Sequence, residues 1–84
     1  MPELPTFATV RIVRLRPDID HTPVSSSFDP PPLPAAGDVA TIVERTADGT
    51  AYLVEKVLED GRTAWLAAFA EDELELLTAN DRKP

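Results

Sequence analysis

His21 is the only histidine of the chain and lies between Asp20 and Thr22. An imidazole beside a carboxylate can serve as a general base. The chain has no cysteine to activate, and Ser25, Ser26 and Ser27 lie in a stretch with no helix or strand signal, which cannot hold a preorganised triad. A solvated loop histidine is therefore expected. His21 with Asp18 and Asp20 offers one nitrogen and two carboxylates, a poor zinc set without a second histidine. Glu71, Asp72, Glu73 and Glu75 lack the alternating oxygen ligands around a glycine that calcium loops use. A solvated acidic rim is expected there, with docking onto a basic partner as the alternative use. Gly37, Gly49 and Gly61 recur every 12 residues, one per turn, and not as a phosphate cradle. No catalytic residue, cofactor, metal or nucleotide site is expected, and the protein is expected not to be an enzyme.

The most distinctive local feature is Phe28-Asp29-Pro30-Pro31-Pro32-Leu33-Pro34. Such a run favours polyproline II, a preformed ligand for aromatic grooves. The competing expectation is self-bracing, with Phe28 and Leu33 as apolar anchors against the chain's own sheet; recognition by an outside partner requires both to be exposed. Arg11, Arg14 and Arg16 form the one basic cluster and are expected to pair with acids on neighbouring strands.

Composition narrows the function classes. The chain has 84 residues, no cysteine, nine prolines and a net charge of −7. A chain of this size hides about 60–65% of its unfolded surface, which allows one modest core. Nucleic acid and anionic membranes call for clustered Lys and Arg, the reverse of this balance. No apolar run nears the roughly 18 residues that span a bilayer, and no basic-then-apolar leader is present. A soluble cytoplasmic protein is expected.

The elements follow from turns and β-branched runs. Met1–Thr6 reads as a loose lead-in and Phe7–Leu15 as the first strand. Arg16–Ala36 reads as a long proline-rich loop insertion, with six of the nine prolines. Val39–Arg45, Thr50–Leu58 and Thr63–Phe69 read as a meander joined by Ala47-Asp48-Gly49 and Glu59-Asp60-Gly61. The stretch Thr63–Leu77 is rich in helix formers, and propensity alone favours a helix. Meander logic favours a strand to Phe69, a helical turn at Ala70–Glu73 and a last strand Leu74–Leu77. One domain over residues 7–77 is expected, with flexible termini at 1–6 and 78–84. Its core is expected from Val10, Ile12, Val13, Val39, Ile42, Val43, Tyr52, Val54, Val57, Leu66, Phe69, Leu74 and Leu77. Apolar residues on both strand faces suggest a closed small barrel or a homodimer covering the second face.

Four pieces occur in order: Gly37-Asp38-Val39-Ala40-Thr41-Ile42-Val43-Glu44, Ala51-Tyr52-Leu53-Val54-Glu55, Asp60-Gly61-Arg62-Thr63 and Asp72-Glu73-Leu74. Together they resemble a family of small bacterial proteins classed as a domain of unknown function, number forty-nine twenty-six of that series. The resemblance covers most of Val10–Leu77. It departs at Ala40, where a glycine is usual, at Lys56, where an aromatic is usual, and in the length of the connection before Gly37. It implies an all-β, five-stranded SH3-like barrel with a 3-10 turn before the last strand. More distantly the chain is similar to the SH3-like barrels of electron-transport accessory proteins and of the nitrile hydratase β subunit, which implies a docking or structural module.

In SH3 domains a row of surface aromatics forms the peptide groove. Tyr52 and Trp65 are expected in the core or at a barrel edge. With Phe28, Pro31, Pro32, Leu33, Pro34, Glu71, Asp72 and Glu73 they make up the candidate interaction residues. The expected function is a non-enzymatic protein–protein interaction or accessory module whose partner is another protein. The alternative is an antitoxin or immunity-type protein, whose acidity would mask a basic partner.

Overall fold

A computed structural model describes Leu4, residues 6–46 and residues 48–78. The expected loose termini fall mostly outside the described residues. The order of elements is β1 (Thr9–Ile12), β2 (Val39–Arg45), β3 (Tyr52–Val57), β4 (Thr63–Phe69), a 3-10 turn (Glu71–Glu73) and β5 (Leu74–Thr78). The strands form one antiparallel sheet in the order β4-β3-β2-β1-β5. β4 and β5 are its two edges and do not pair with each other, so the expected closure into a cylinder is not met.

The strand, turn, strand course of residues 63–78 prevails over helix propensity because the Gly61 turn delivers Thr63 directly opposite Val57. Past an irregularity at Ala64, every residue from Trp65 on gains a ladder partner on β3, ending with Phe69 opposite Tyr52. A helix would forfeit these pairings, and tertiary context outweighs the few tenths of a kcal/mol per residue that propensity supplies. β1 is shorter than Phe7–Leu15. Phe7 sits at φ 68, outside extended backbone, and past Ile12 the ladder continues only as the Val13 N–H donating to the Glu73 carbonyl at 2.9 Å.

Gly61 occupies φ 90, with open space where a Cβ would stand. Replacement by alanine therefore meets no clash, only the backbone penalty of a left-handed L-residue. Gly61→Ala is expected to lower stability by about 1–2 kcal/mol, measured by urea unfolding.

The β2–β3 turn carries a pH response. The Asp48 carboxylate accepts from Thr46 Oγ1 at 2.7 Å, the Thr50 N–H at 3.1 Å and Thr50 Oγ1 at 2.8 Å. The Thr46 hydroxyl, then the Thr50 N–H and hydroxyl, hold its pKa below the ordinary value. A depressed folded pKa gives stability that is full above the unfolded value of about 3.9 and lost as pH falls through the folded one. Asp48→Asn is expected to flatten the fall in thermal midpoint between about pH 4 and pH 2.

The core is built from Val10, Ile12, Ile42, Val54, Trp65 and Phe69, with Ala8, Ala40, Ala64 and Ala67 filling between them. Tyr52 and Leu74 are buried as expected. Val13, Val39, Val57 and Leu77 are exposed, against expectation, and Val43 and Leu66 are half-buried. Val43, Val57 and Leu66 fall on the outward side of the alternation set by the buried Ile42, Val54 and Trp65. The register irregularities leave Val43 of β2 and Ala64 of β4 without a ladder partner, and at the second Ala64 and Trp65 are buried in succession. Val39 alternates outward against the buried Ala40, and Val13 lies beyond the end of β1.

Candidate functional site

Residues 13–38 join β1 to β2 and contain no named strand or helix, yet hydrogen bonds pin them at three places. At the start, His21 and the Arg16 backbone meet Glu73. Midway, the Val24 N–H donates to the Leu66 carbonyl at 2.7 Å and the Leu66 N–H to the Ser25 carbonyl at 2.9 Å. The Ser27 N–H donates to the Thr63 carbonyl at 2.8 Å, and Ser26 Oγ to the Ala64 carbonyl at 2.7 Å. This segment lies along the outer edge of β4 as a short antiparallel bridge. At the end, the Gly37 N–H donates to the Ile12 carbonyl at 2.7 Å and the Ile12 N–H to the Asp38 carbonyl at 2.9 Å.

Glu73 is wholly buried, which corrects the expectation of a solvated rim at that position. Its Oε1 accepts from the Ala70 N–H at 2.8 Å, and its Oε2 from the Arg16 N–H at 2.7 Å and from His21 Nε2 at 2.6 Å. Ala70 precedes the 3-10 turn and has no side-chain cap to offer, so the glutamate three residues on reaches back instead. His21 is likewise not a free loop histidine. Its side chain is 14% exposed and its ring lies 5.0 Å from that of Phe69, which in turn lies 5.6 Å from Trp65. Chemically this pair is a clasp: three donors occupy the carboxylate, and the imidazole is packed on an aromatic face.

Around the clasp the charges are exposed and paired. Arg16 bonds Asp18 at 2.7 Å and Asp72 at 3.3 Å. The carboxylates of Asp18 and Asp72 hold its guanidinium further toward the charged form, and Arg16 lowers the pKa of Asp18. Arg14 Nη1 donates to the Asp72 carbonyl, and Arg11 pairs with Glu75 across the β1–β5 ladder at 3.1 Å. Of the arginine cluster only Arg11 pairs with an acid of a neighbouring strand as expected; Arg16 pairs within the connection and at the 3-10 turn, and Arg14 meets a backbone carbonyl. Such surface pairs contribute little each.

The second half of the connection forms a pocket of about 630 Å³. Phe28, Pro30, Pro31, Pro32 and Leu33 make one wall; Leu58, Ala64 and Trp65 make the sheet side. Asp38 and Lys56 are the polar members, their charges 3.2 Å apart and both partly buried. Asp38 also accepts from the Ala35 N–H at 3.0 Å. The proline wall turns every third residue inward: Phe28 and Pro31 are half-buried and Pro34 is buried, whereas Asp29, Pro30, Pro32 and Leu33 are exposed. Three residues per turn is the period of polyproline II. The Asp29–Pro30 peptide is cis. Pro34, not Leu33, is therefore the buried anchor, and Leu33 stands 70% exposed at the rim. Arg62 covers the Phe28 ring at 4.6 Å.

Of the candidate interaction residues, Phe28, Pro31, Pro32, Leu33 and Trp65 converge on this pocket. Pro34 is buried and Tyr52 is a core member, so neither offers a free face. Glu71 and Asp72 sit at the 3-10 turn with Glu73, outside the pocket lining. Asp38, Lys56 and Leu58 also line the pocket although nothing in the sequence marks them as site residues, since a lone Lys in a strand carries no signal of its neighbours. Among the described residues no group of three or more His, Cys, Asp or Glu could hold a metal ion. No helix among them is long and apolar enough to cross a membrane. No family model, curated protein or solved structure matches the chain.

Proposed function

We propose that the chain is a cytoplasmic, non-enzymatic protein-interaction module of the SH3-like kind, and that the proline-walled pocket is its contact site. One observation carries this proposal: a ready-formed apolar cleft whose proline wall is held in place at both ends, with Leu33 exposed at its rim. Binding sites are typically concave, mostly apolar and furnished with a few polar groups, here Asp38 and Lys56. A wall of prolines loses little conformational freedom on binding, which favours recognition over chemistry. An antitoxin or immunity role is the second reading, favoured by the net charge of −7; it differs only in the partner being a basic toxin.

The test is quantitative affinity capture from cells of the source organism with the wild-type chain and with Phe28→Ser/Leu33→Ser. The variant must keep a cooperative thermal transition. A protein retained by the first and lost by the second is the expected result. Identical capture by both chains, or turnover of a metabolite by the purified protein, rejects the proposal.

A further inference from the structure

We infer that the pocket receives a segment of a partner protein in which a large apolar side chain is flanked by lysine or arginine. This rests on the interaction-module reading and adds the chemistry of the partner. The lining is apolar along the proline wall and at Leu58, Ala64 and Trp65, so the inserted group is apolar.

The flanking charge follows from which ions around the pocket are already satisfied. Lys56 is neutralised by Asp38 at 3.2 Å, and Arg62, which lies over Phe28, by Asp60 at 2.7 Å. Both cations next to the pocket are thus occupied by acids of the same chain. Asp29, between Phe28 and Pro30, and Glu59, beside Leu58, are exposed and have no hydrogen bond or ion pair with any described residue. The unspent charge on the residues next in sequence to the lining Phe28 and Leu58 is negative, on a chain whose net charge is −7. An acidic segment would meet like charge on entry, whereas a basic one is drawn in and oriented.

A random heptapeptide library displayed on phage and selected against the intact protein tests this. The enriched peptides are then titrated against ¹⁵N-labelled protein. Enriched sequences are expected to place Trp, Phe, Leu or Met next to Lys or Arg and to shift the Trp65 indole and Leu58 amide signals. Leu33→Ser is expected to weaken binding at least about fivefold, and Asp29→Asn/Glu59→Lys about tenfold at low salt. That tenfold gap should narrow as salt is raised, because exposed charges are screened. Peptides that bind the pocket with acidic or neutral flanks and ignore the charge variant overturn this inference and leave the module reading standing. Selections that yield no peptide shifting the pocket signals overturn both. Concentration-dependent shifts of the same signals without peptide assign the pocket to a second copy and also overturn the inference.

Discussion

Replacing Glu73 by alanine is expected to lower the free energy of unfolding by about 3–5 kcal/mol, because three donors lose one shared acceptor at once. The carboxylate is wholly buried and accepts from the Ala70 N–H, the Arg16 N–H and His21 Nε2. Alanine leaves those donors facing a void, and each buried donor without an acceptor costs about 1–3 kcal/mol. Glu73→Gln keeps an acceptor for Ala70 but turns an amide N–H₂ toward Arg16 and His21, so roughly half the loss is expected. His21→Ala should cost less than Glu73→Ala, because the carboxylate keeps both backbone donors. Urea melts of the three variants decide the order. A Glu73→Ala protein as stable as wild type would mean the clasp contributes nothing.

Phe69→Ala is expected to cost a similar 3–5 kcal/mol, the usual range for deleting a buried phenylalanine ring. Phe69 is fully buried at the end of β4, opposite Tyr52, and is flanked by the Trp65 ring on one hand and the His21 imidazole on the other. Its loss therefore opens the core and also removes the surface on which His21 rests. Phe69→Leu, nearer in volume, should cost less, about 1–1.5 kcal/mol. The double variant Phe69→Leu/His21→Ala separates the two effects: a coupling of about 0.5 kcal/mol or more is expected for groups in contact. Strict additivity would mean the ring–ring contact carries no energy.

The meander was the most legible part of the molecule. β2 and β4 begin and end where turn residues and β-branched runs place them, because Asp-Gly turns act locally and a local signal survives folding. The inward faces were less legible. A run such as Leu53-Val54-Glu55-Lys56-Val57 carries apolar residues at both parities and so does not say which face is inward, and nothing in Thr63-Ala64-Trp65 announces that Ala64 is the residue without a ladder partner. Glu73 was the hardest to see. It stands within Glu71-Asp72-Glu73-Leu74-Glu75, where composition argues for solvent, and its partner His21 lies 52 positions away. One local hint existed: a glutamate three residues after Ala70, which cannot cap the turn itself. The pocket was half legible. Phe28 and the prolines stood out as a binding element, but Asp38, Lys56 and Leu58 reach them only through the packing of the connection over the sheet.

The strip 24–27 on β4 has a bearing on how this chain meets its own kind. Unsatisfied peptide groups along a sheet's border are what let one molecule add to the next. Continuous stacking needs two such borders per molecule, one to receive and one to offer. Here residues 24–27 occupy the Thr63–Leu66 part of the β4 border from within the chain, whereas the outer border of β5 pairs with no strand among the described residues. Covering part of one border shortens the surface open to backbone pairing there and leaves β5 as the longer receptive side.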